Sequence, residues 1–375
     1  MLIKPKAGQA AKIKVVGIGG GGGNAVSAMV SEGSISGVEF ITINTDAQAL
    51  LNNKASIKVQ IGENLTKGLG SGGDPEIGRQ AAEESKERLK EELEGADMIF
   101  LTCGEGGGTG TGASPVIAEI ARETGALTVA VVTKPFDFEG VKRKFIAEDG
   151  IAKLKERVDT LIVVPNQKIL TIIDKKTPIL EAFRKIDTVL TSGVKGIAEL
   201  ITTPGLINVD FADVKSIMSN SGTALMGIGT GSGEKRALAA IKQAISSPLL
   251  DVSIEGARGI LFNVIGGPDL TMTEVDEAAS IIAKSVDPDA EIIFGAVIDE
   301  KLMDQIRITI IATRFDDNRL RLFRFRKNED IEKPVSSVKE KQGVENEDRF
   351  EDEKIDEEFL EESSEFDIPA FLRKK

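Results

Sequence analysis

Two glycine-rich runs, Gly19-Gly20-Gly21-Gly22-Gly23-Asn24 and Gly104-Glu105-Gly106-Gly107-Gly108-Thr109-Gly110-Thr111-Gly112, carry residue types suited to holding an anion. Each follows an apolar β-type run, Ile13 to Ile18 and Met98 to Thr102, and each leads into a helical pattern, Ala25 to Met29 and Ala113 to Ala121. At a strand-to-helix turn glycine lets the backbone approach a phosphate closely, while free amides at the helix N-terminus point toward it with the helix dipole behind them. The first run alone leaves the ligand open. Gly17-x-Gly19-x-x-Gly22 after a strand also fits a dinucleotide-binding fingerprint, with Asp46 where a ribose-binding acid would stand. The second run adds further amides and the Thr109 and Thr111 hydroxyls, more donors than one pyrophosphate needs, and so favours a triphosphate. No Gly-Lys-Ser/Thr follows either run, so neither is a Walker P-loop.

Composition narrows the chemistry further. Histidine is absent from all 375 residues, which removes His-based acid/base catalysis, Ser-His triads and most zinc sites. Carboxylates, backbone amides, Lys/Arg or a bound ion must do the work. The one cysteine, Cys103, forms no intrachain disulfide, and no apolar run approaches the roughly 18 residues of a membrane span. The N-terminus lacks a secretory pattern, so a cytoplasmic setting is expected. Residues 329–365 hold 16 acids against 5 Lys/Arg and so carry most of the net charge of -13. The rest of the chain is near neutral, and nucleic-acid binding is not expected.

The elements that must position the glycine runs follow from periodicity. From residue 13 to about 165, β-like runs (Ile13 to Ile18, Val38 to Ile43, Met98 to Thr102, Leu127 to Val132, Thr160 to Val164) alternate with helical ones (Pro75 to Glu94, Ser114 to Glu123, Val141 to Glu156). This is the pattern of a mainly parallel sheet with helices on both faces and ligands at the carboxyl ends of its strands. A long helix is predicted over Ile179 to Thr202, stopping at Thr203-Pro204-Gly205. Beyond it come strands Arg258 to Ile265, Glu291 to Val297 and Arg307 to Thr313, with helices Gly233 to Ile245 and Thr273 to Lys284, a smaller α/β block. Residues 317–365 are too charged to pack a core and read as a disordered acidic linker. The apolar-then-basic segment 366–375 reads as a docking peptide.

GGGGGNAV, NTDAQAL, TKGLGSGGDPEIGR, GGGTGTGA, TKPFDFEG and NVDFADV, in this order and spacing, resemble the FtsZ branch of the tubulin/FtsZ GTPases, the bacterial cell-division family. The resemblance covers about residues 12–315 and the extreme C-terminus. It implies an α/β chain: a flexible N-terminus (1–11), a Rossmann-like GTP-binding domain with a mainly parallel sheet (12–178), a central helix (179–203), a C-terminal activation domain (204–316), the disordered tail (317–365) and a partner-binding peptide (366–375). It implies GTP/GDP as ligand, with Mg²⁺ held mainly by the phosphates. Gly21, Gly22, Gly23, Asn24, Ala25, Gly108, Thr109 and Gly110 would hold the phosphates, and Glu139 and Arg143 would lie at the ribose and phosphates. Asn166, Phe183 and Asp187 would face the guanine, where a carboxylate accepts from N1-H and the exocyclic amine and a ring stacks on the base. Asn208, Asp210 and Asp213 would enter the nucleotide site of the next subunit and polarise the attacking water. The implied product is a head-to-tail homopolymer at a midcell division ring, with membrane-tethering and regulatory division proteins held by Asp367 to Lys375.

Plainer readings stand beside these roles. Glu139 and Arg143 are spaced for an i,i+4 ion pair. Phe183 and Asp187 suit a core ring and a solvated acid on the long helix. Asp210 and Asp213 suit the start of a helix through Ser219, with Asp210 as its cap. A Rossmann-type NAD(P)-dependent oxidoreductase and a GTP-binding filament protein without hydrolysis are the rival functions. Glu105 departs from the family, whose members usually carry methionine there. A carboxylate beside a triphosphate repels it unless it points away or reaches the metal, so Glu105→Met is expected to tighten GTP binding modestly.

Overall fold

The computed structural model describes residues 11–315 apart from 34, 36, 175, 204, 251 and 252. The readings of residues 1–10, 317–365 and 366–375 lie outside the described residues. The strands are β1 (Ile13–Ile18), β2 (Val38–Asn44), β3 (Ile57–Gln60), β4 (Met98–Gly104), β5 (Leu127–Lys134), β6 (Thr160–Pro165), β7 (Gly222–Ser232), β8 (Gly259–Gly266), β9 (Glu291–Ile298) and β10 (Gln305–Thr313). The helices are α1 (Gly19–Ser31), α2 (Ala47–Leu51), α3 (Glu63–Thr66), α4 (Pro75–Glu84), α5 (Lys86–Leu93), α6 (Thr109–Glu123), α7 (Val141–Lys155), α8 (Asn166–Ile169), α9 (Ile179–Thr202), α10 (Phe211–Met218), α11 (Arg236–Ile245) and α12 (Met272–Ser285).

The strands form one sheet in the order β3-β2-β1-β4-β5-β6-β7-β10-β8-β9. The first six are parallel throughout, whereas β10 runs antiparallel to both β7 and β8. Strand residues alternate between two buried faces, as their period of two requires. Ile13, Val15, Met98 and Phe100 enter one core with α1 and α9, while Val16, Ile18, Ile99 and Leu101 enter another with α4 to α6. A third core packs α11 and α12 on the strands of the C-terminal half. Helix α9 spans both halves, and two glycines let it lie close. A Cβ on Gly193 would meet the Met226 side chain at 2.8 Å, and one on Gly196 would meet Thr309 at 2.9 Å.

Three expectations need correcting. The helix predicted over Pro75 to Glu94 breaks into α4 and α5 at Ser85, whose hydroxyl accepts from the Gly62 amide at 3.2 Å. Strands β3 and β7 were not anticipated. Helix α1 begins at Gly19, so the first glycine run is not a loop ahead of the helix but its opening turns.

Candidate nucleotide site

The order β3-β2-β1-β4-β5-β6 reverses direction between β1 and β4. Parallel α/β sheets bind ligands at such a switch point, outside the carboxyl ends of the strands. Both glycine runs lie there, Gly19 directly after β1 and Gly104 at the end of β4. Their helices depart to opposite faces, α1 into the core with α9 and α6 into the core with α4 and α5. This opens a crevice between them.

The two runs touch backbone to backbone. A Cβ on Gly21 would lie 3.2 Å from the Gly104 nitrogen, and one on Gly19, where φ is +70°, would lie 2.9 Å from the Gly110 nitrogen. Larger residues would prise the runs apart. Gly20 and Gly107 instead face open space, with nothing within 4 Å of a Cβ, which is the clearance a phosphate needs. On α1, Gly20, Gly21 and Asn24 are exposed, while Gly22, Gly23 and Ala25 turn inward, Gly22 against the Thr102 carbonyl. Gly108 caps α6, and Thr109 and Gly110 open it. The Thr109 hydroxyl lies 2.7 Å from that of Thr45 and 3.0 Å from that of Ser71, a buried cluster that sequence reasoning did not single out.

Of the predicted base-end residues, Phe183 packs against Phe136, which follows β5. The Phe136 ring stacks on Phe138 with centroids 4.8 Å apart and meets Phe183 edge-on at 5.6 Å. Phe136, Phe138, Leu170, Ile173 and Phe183 help to line an open cleft of about 370 Å³. Phe183 is half exposed rather than a core ring. Glu139 accepts from the Phe136 amide at 2.9 Å and pairs with Arg143 at 2.6 Å, so the i,i+4 pair is present. Arg143 remains largely exposed and free to swing toward an anion. Asn166 heads α8 with its side-chain oxygen buried and unpartnered, the kind of orphan a ligand donor would satisfy. Asp187, one turn beyond Phe183 on α9, is half buried. Burial, and secondarily the charge of Glu32, raises its pKa to about 6. The TKPFDFEG motif contains both stacked rings, Phe136 and Phe138, but nothing in its spacing signals that they meet Phe183.

The acidic loop stands apart from these groups. Leu206 and Ile207 donate to the Ala296 carbonyl of β9 at 2.9 and 3.3 Å, which ties the loop to the C-terminal half. Asn208 Oδ1 accepts from the Gly205 amide at 2.7 Å, and Asp210 caps α10 by accepting from the Asp213 amide at 2.9 Å. The capping reading therefore holds. Asn208, Asp210 and Asp213 are all exposed, and no hydrogen bond among the described residues links them to the glycine runs.

The tubulin/FtsZ family GTPase domain matches residues 12–174, and the FtsZ family C-terminal domain matches residues 222–316. The chain is 51% identical to M. jannaschii FtsZ in a structure described as an empty dimer, covering 81% of this chain and 88% of that one with a TM-score of 0.78. The chain belongs to the tubulin/FtsZ family. It is a guanine-nucleotide-binding cytoskeletal GTPase of the FtsZ branch. CetZ2 of Haloferax volcanii, in a GTPγS-bound protofilament, is 21% identical and covers 85% of this chain and 98% of its own, with a TM-score of 0.66. That likeness concerns the fold alone. The oxidoreductase reading falls with family membership, and Asp46, its ribose acid, caps α2 by accepting from the Ala49 amide at 3.0 Å.

Membership also sharpens the one departure, Glu105. Its side chain is buried. Oε1 accepts from the Cys103 thiol at 3.2 Å and from the Ser114 hydroxyl at 3.4 Å, while Oε2 has no partner. A Cβ on Gly150 would lie 2.5 Å from Oε2, so α7 closes over the carboxyl and has room only for glycine there. Burial raises the Glu105 pKa to about 7, with the neighbouring Cys103, Thr111 and Ser114 side chains opposing the rise. Burial also raises the Cys103 thiol, with Glu105 adding to the effect, which keeps the thiol a proton donor. The expected repulsion of the nucleotide is thus replaced by a cost to folding. A buried acid escapes it by holding its proton.

Proposed function

We propose that the chain couples GTP hydrolysis to head-to-tail assembly into filaments of a cytoplasmic cell-division ring. The observation that carries this reading is the separation of two half-sites, a cradle at the β1/β4 switch point and an exposed acidic loop held on β9. Two different surfaces that meet between copies make a heterologous contact, which propagates as a filament when its rotation does not close a ring. The relative described as a dimer supports self-association.

In this reading the amides around Gly20, Gly21, Gly107 and Gly108, with Thr109, hold the phosphates, and Arg143 leaves Glu139 to share their charge. Gly22, Gly23 and Ala25 act by setting α1 against the sheet, with Gly110 opening α6. Phe183 packs on the base, Asn166 satisfies its orphan oxygen against the nucleotide, and Asp187 accepts from the guanine edge. The next subunit's loop then completes the site. Asn208 spends its carbonyl on Gly205 and has its amide protons left to donate, whereas Asp213 and the second oxygen of Asp210 accept from the attacking water. Phosphoryl transfer needs positioning and charge stabilisation more than covalent chemistry. Mg²⁺, a hard cation suited to oxygen ligands, would be held mainly by the phosphates and would supply neutralisation of their charge. Loss of the γ-phosphate weakens the contact it ordered. The domain boundaries at 178, 203 and 316 belong to this reading. So does docking of division proteins by Asp367 to Lys375.

Asp187 supplies the test of guanine recognition. Its ionised form is the one that accepts both guanine donors, and it takes up a proton as pH falls through about 6. GTP affinity, measured by equilibrium titration, is expected to fall on that limb and to hold steady above pH 7. Asp187→Asn should bind GTP roughly tenfold more weakly at pH 7.5 and lose the acid limb, since one charge-assisted pairing is gone. A wild-type protein that binds ATP as tightly as GTP would contradict the assignment.

A further inference from the structure

Three hydroxyls meet where the loop after β2, the loop before α4 and the start of α6 converge. Thr109 Oγ1 lies 2.7 Å from Thr45 Oγ1 and 3.0 Å from Ser71 Oγ. Thr45 is fully buried and Ser71 is 6% exposed, so neither proton is left to water. Among the described residues neither hydroxyl has another hydrogen-bond partner. A buried donor left unmet costs more than an acceptor with a spare lone pair, because the donor forfeits its only bond. Two contacts leave one of the three protons unmatched, and when Thr45 and Ser71 both donate to Thr109 that proton is on the hydroxyl at the head of α6, beside the glycine cradle. A threonine oxygen has two lone pairs and one proton. With both lone pairs filled, Thr109 has its proton left over, and no described residue accepts it.

We infer that Thr45 and Ser71 are positioning residues that fix the Thr109 hydroxyl as a hydrogen-bond donor to a nucleotide phosphate oxygen. The inference rests on the GTP reading above and adds how one of its contacts is polarised. Accepting two bonds strengthens the proton Thr109 gives away, as chains of hydrogen bonds polarise one another. It also leaves that oxygen no lone pair for a metal ion. Ser71 sits in the run Gly68-Leu69-Gly70-Ser71-Gly72-Gly73, whose four glycines all take positive φ, and its hydroxyl is close enough to Gly108 that a Cβ there would lie 2.2 Å away. The hydroxyl thus ties a glycine loop to the phosphate cradle.

The test is GTP affinity by equilibrium titration at protein concentrations too low for assembly, in Mg²⁺ and again in EDTA. Ser71→Ala and Thr45→Val are each expected to weaken binding roughly five- to tenfold in both conditions, while Thr45→Ser, which keeps the donor, stays near wild type. In a Thr109→Val background Ser71→Ala should have no further effect, because the group it positions is already gone. Wild-type affinity in Ser71→Ala would overturn the inference. So would an equal loss in the Thr109→Val background, which marks a structural role, or a loss confined to Mg²⁺, which marks a metal ligand. A wild-type protein that binds no GTP would overturn the underlying reading and this inference with it.

Discussion

Replacing Asp213 with alanine is expected to leave GTP binding within about twofold of wild type and to lower turnover by at least roughly a hundredfold, the scale of losing one group that stabilises transition-state charge. The local structure makes this a clean substitution. Helix α10 is capped by the Asp210 side chain acting on the Asp213 backbone amide, which alanine retains. The Asp213 carboxylate itself holds no cap, and the Ser216 hydroxyl donates to the Asp213 backbone carbonyl at 2.8 Å and to the Glu291 carboxylate at 3.2 Å, contacts that alanine leaves in place. Asp210→Ala is less clean, since it also removes a cap that contributes about 1 kcal/mol to helix stability. Phosphate release and nucleotide titration on the same Asp213→Ala sample separate the two effects. Unchanged turnover would remove the acidic loop from the chemistry, and lost binding would place Asp213 in the same subunit's cradle.

Replacing Glu105 is expected to alter stability strongly and nucleotide affinity little. In the folded chain the carboxyl holds its proton up to about pH 7, against an ordinary value of 4.5. Between those values the folded state binds the extra proton. The contribution of this group is therefore fully present below pH 4.5, is lost as pH rises through about 7, and stays lost above it. The loss amounts to about 3 kcal/mol by pH 8 at the upper limit. Glu105→Met, which removes both the charge and the unpartnered oxygen, should raise the denaturation midpoint at pH 8, give little gain at pH 5, and flatten the profile between them. Glu105→Gln should flatten the profile as well, with a smaller gain because its amide finds few acceptors beside Gly150. Parallel pH profiles for wild type and both variants would show that Glu105 is not the buried acid responsible. Tighter GTP binding in Glu105→Met would instead restore a charge facing the phosphates.

Much of the fold was legible because its strands are apolar runs bounded by turn residues. The Ile13–Ile18 strand and the Ile179–Thr202 helix fall where periodicity put them. Strand β7 was hidden by the feature that lets it pack. Gly227, Gly229 and Gly231 recur with the strand period on one face, and a Cβ on each would lie 2.0 to 2.1 Å from a carbonyl of α11. A strand built of glycine for close helix contact carries no β-type signal. Strand β3 has only four residues at the sheet edge, too few for alternation to register.

The site was legible unevenly, for similar reasons. Glycine runs after strands announce a phosphate cradle from local sequence alone. That α1 starts inside the first run depends on its close packing against Gly104, Gly110 and Thr102, which local propensity disfavours. Glu139 ends a short 3-10 turn and pairs across Gly140 with Arg143 of α7, which stays exposed to a ligand, so spacing could not choose between the roles. The raised pKa of Asp187 comes from burial and from Glu32, 155 positions away in the chain. The inward turn of Glu105 depends on Gly150 of α7. Such long-range contacts leave no mark on the sequence near the residue they govern.

The most direct test of shared active sites is the GTPase rate per subunit measured against protein concentration, with ATP as the control nucleotide. If Asn208, Asp210 and Asp213 act on a neighbour's nucleotide, the rate per subunit rises with concentration and falls toward zero on dilution, while ATP is not turned over. A rate per subunit that stays constant down to the lowest concentration would contradict the account, because each chain would then carry a complete site of its own.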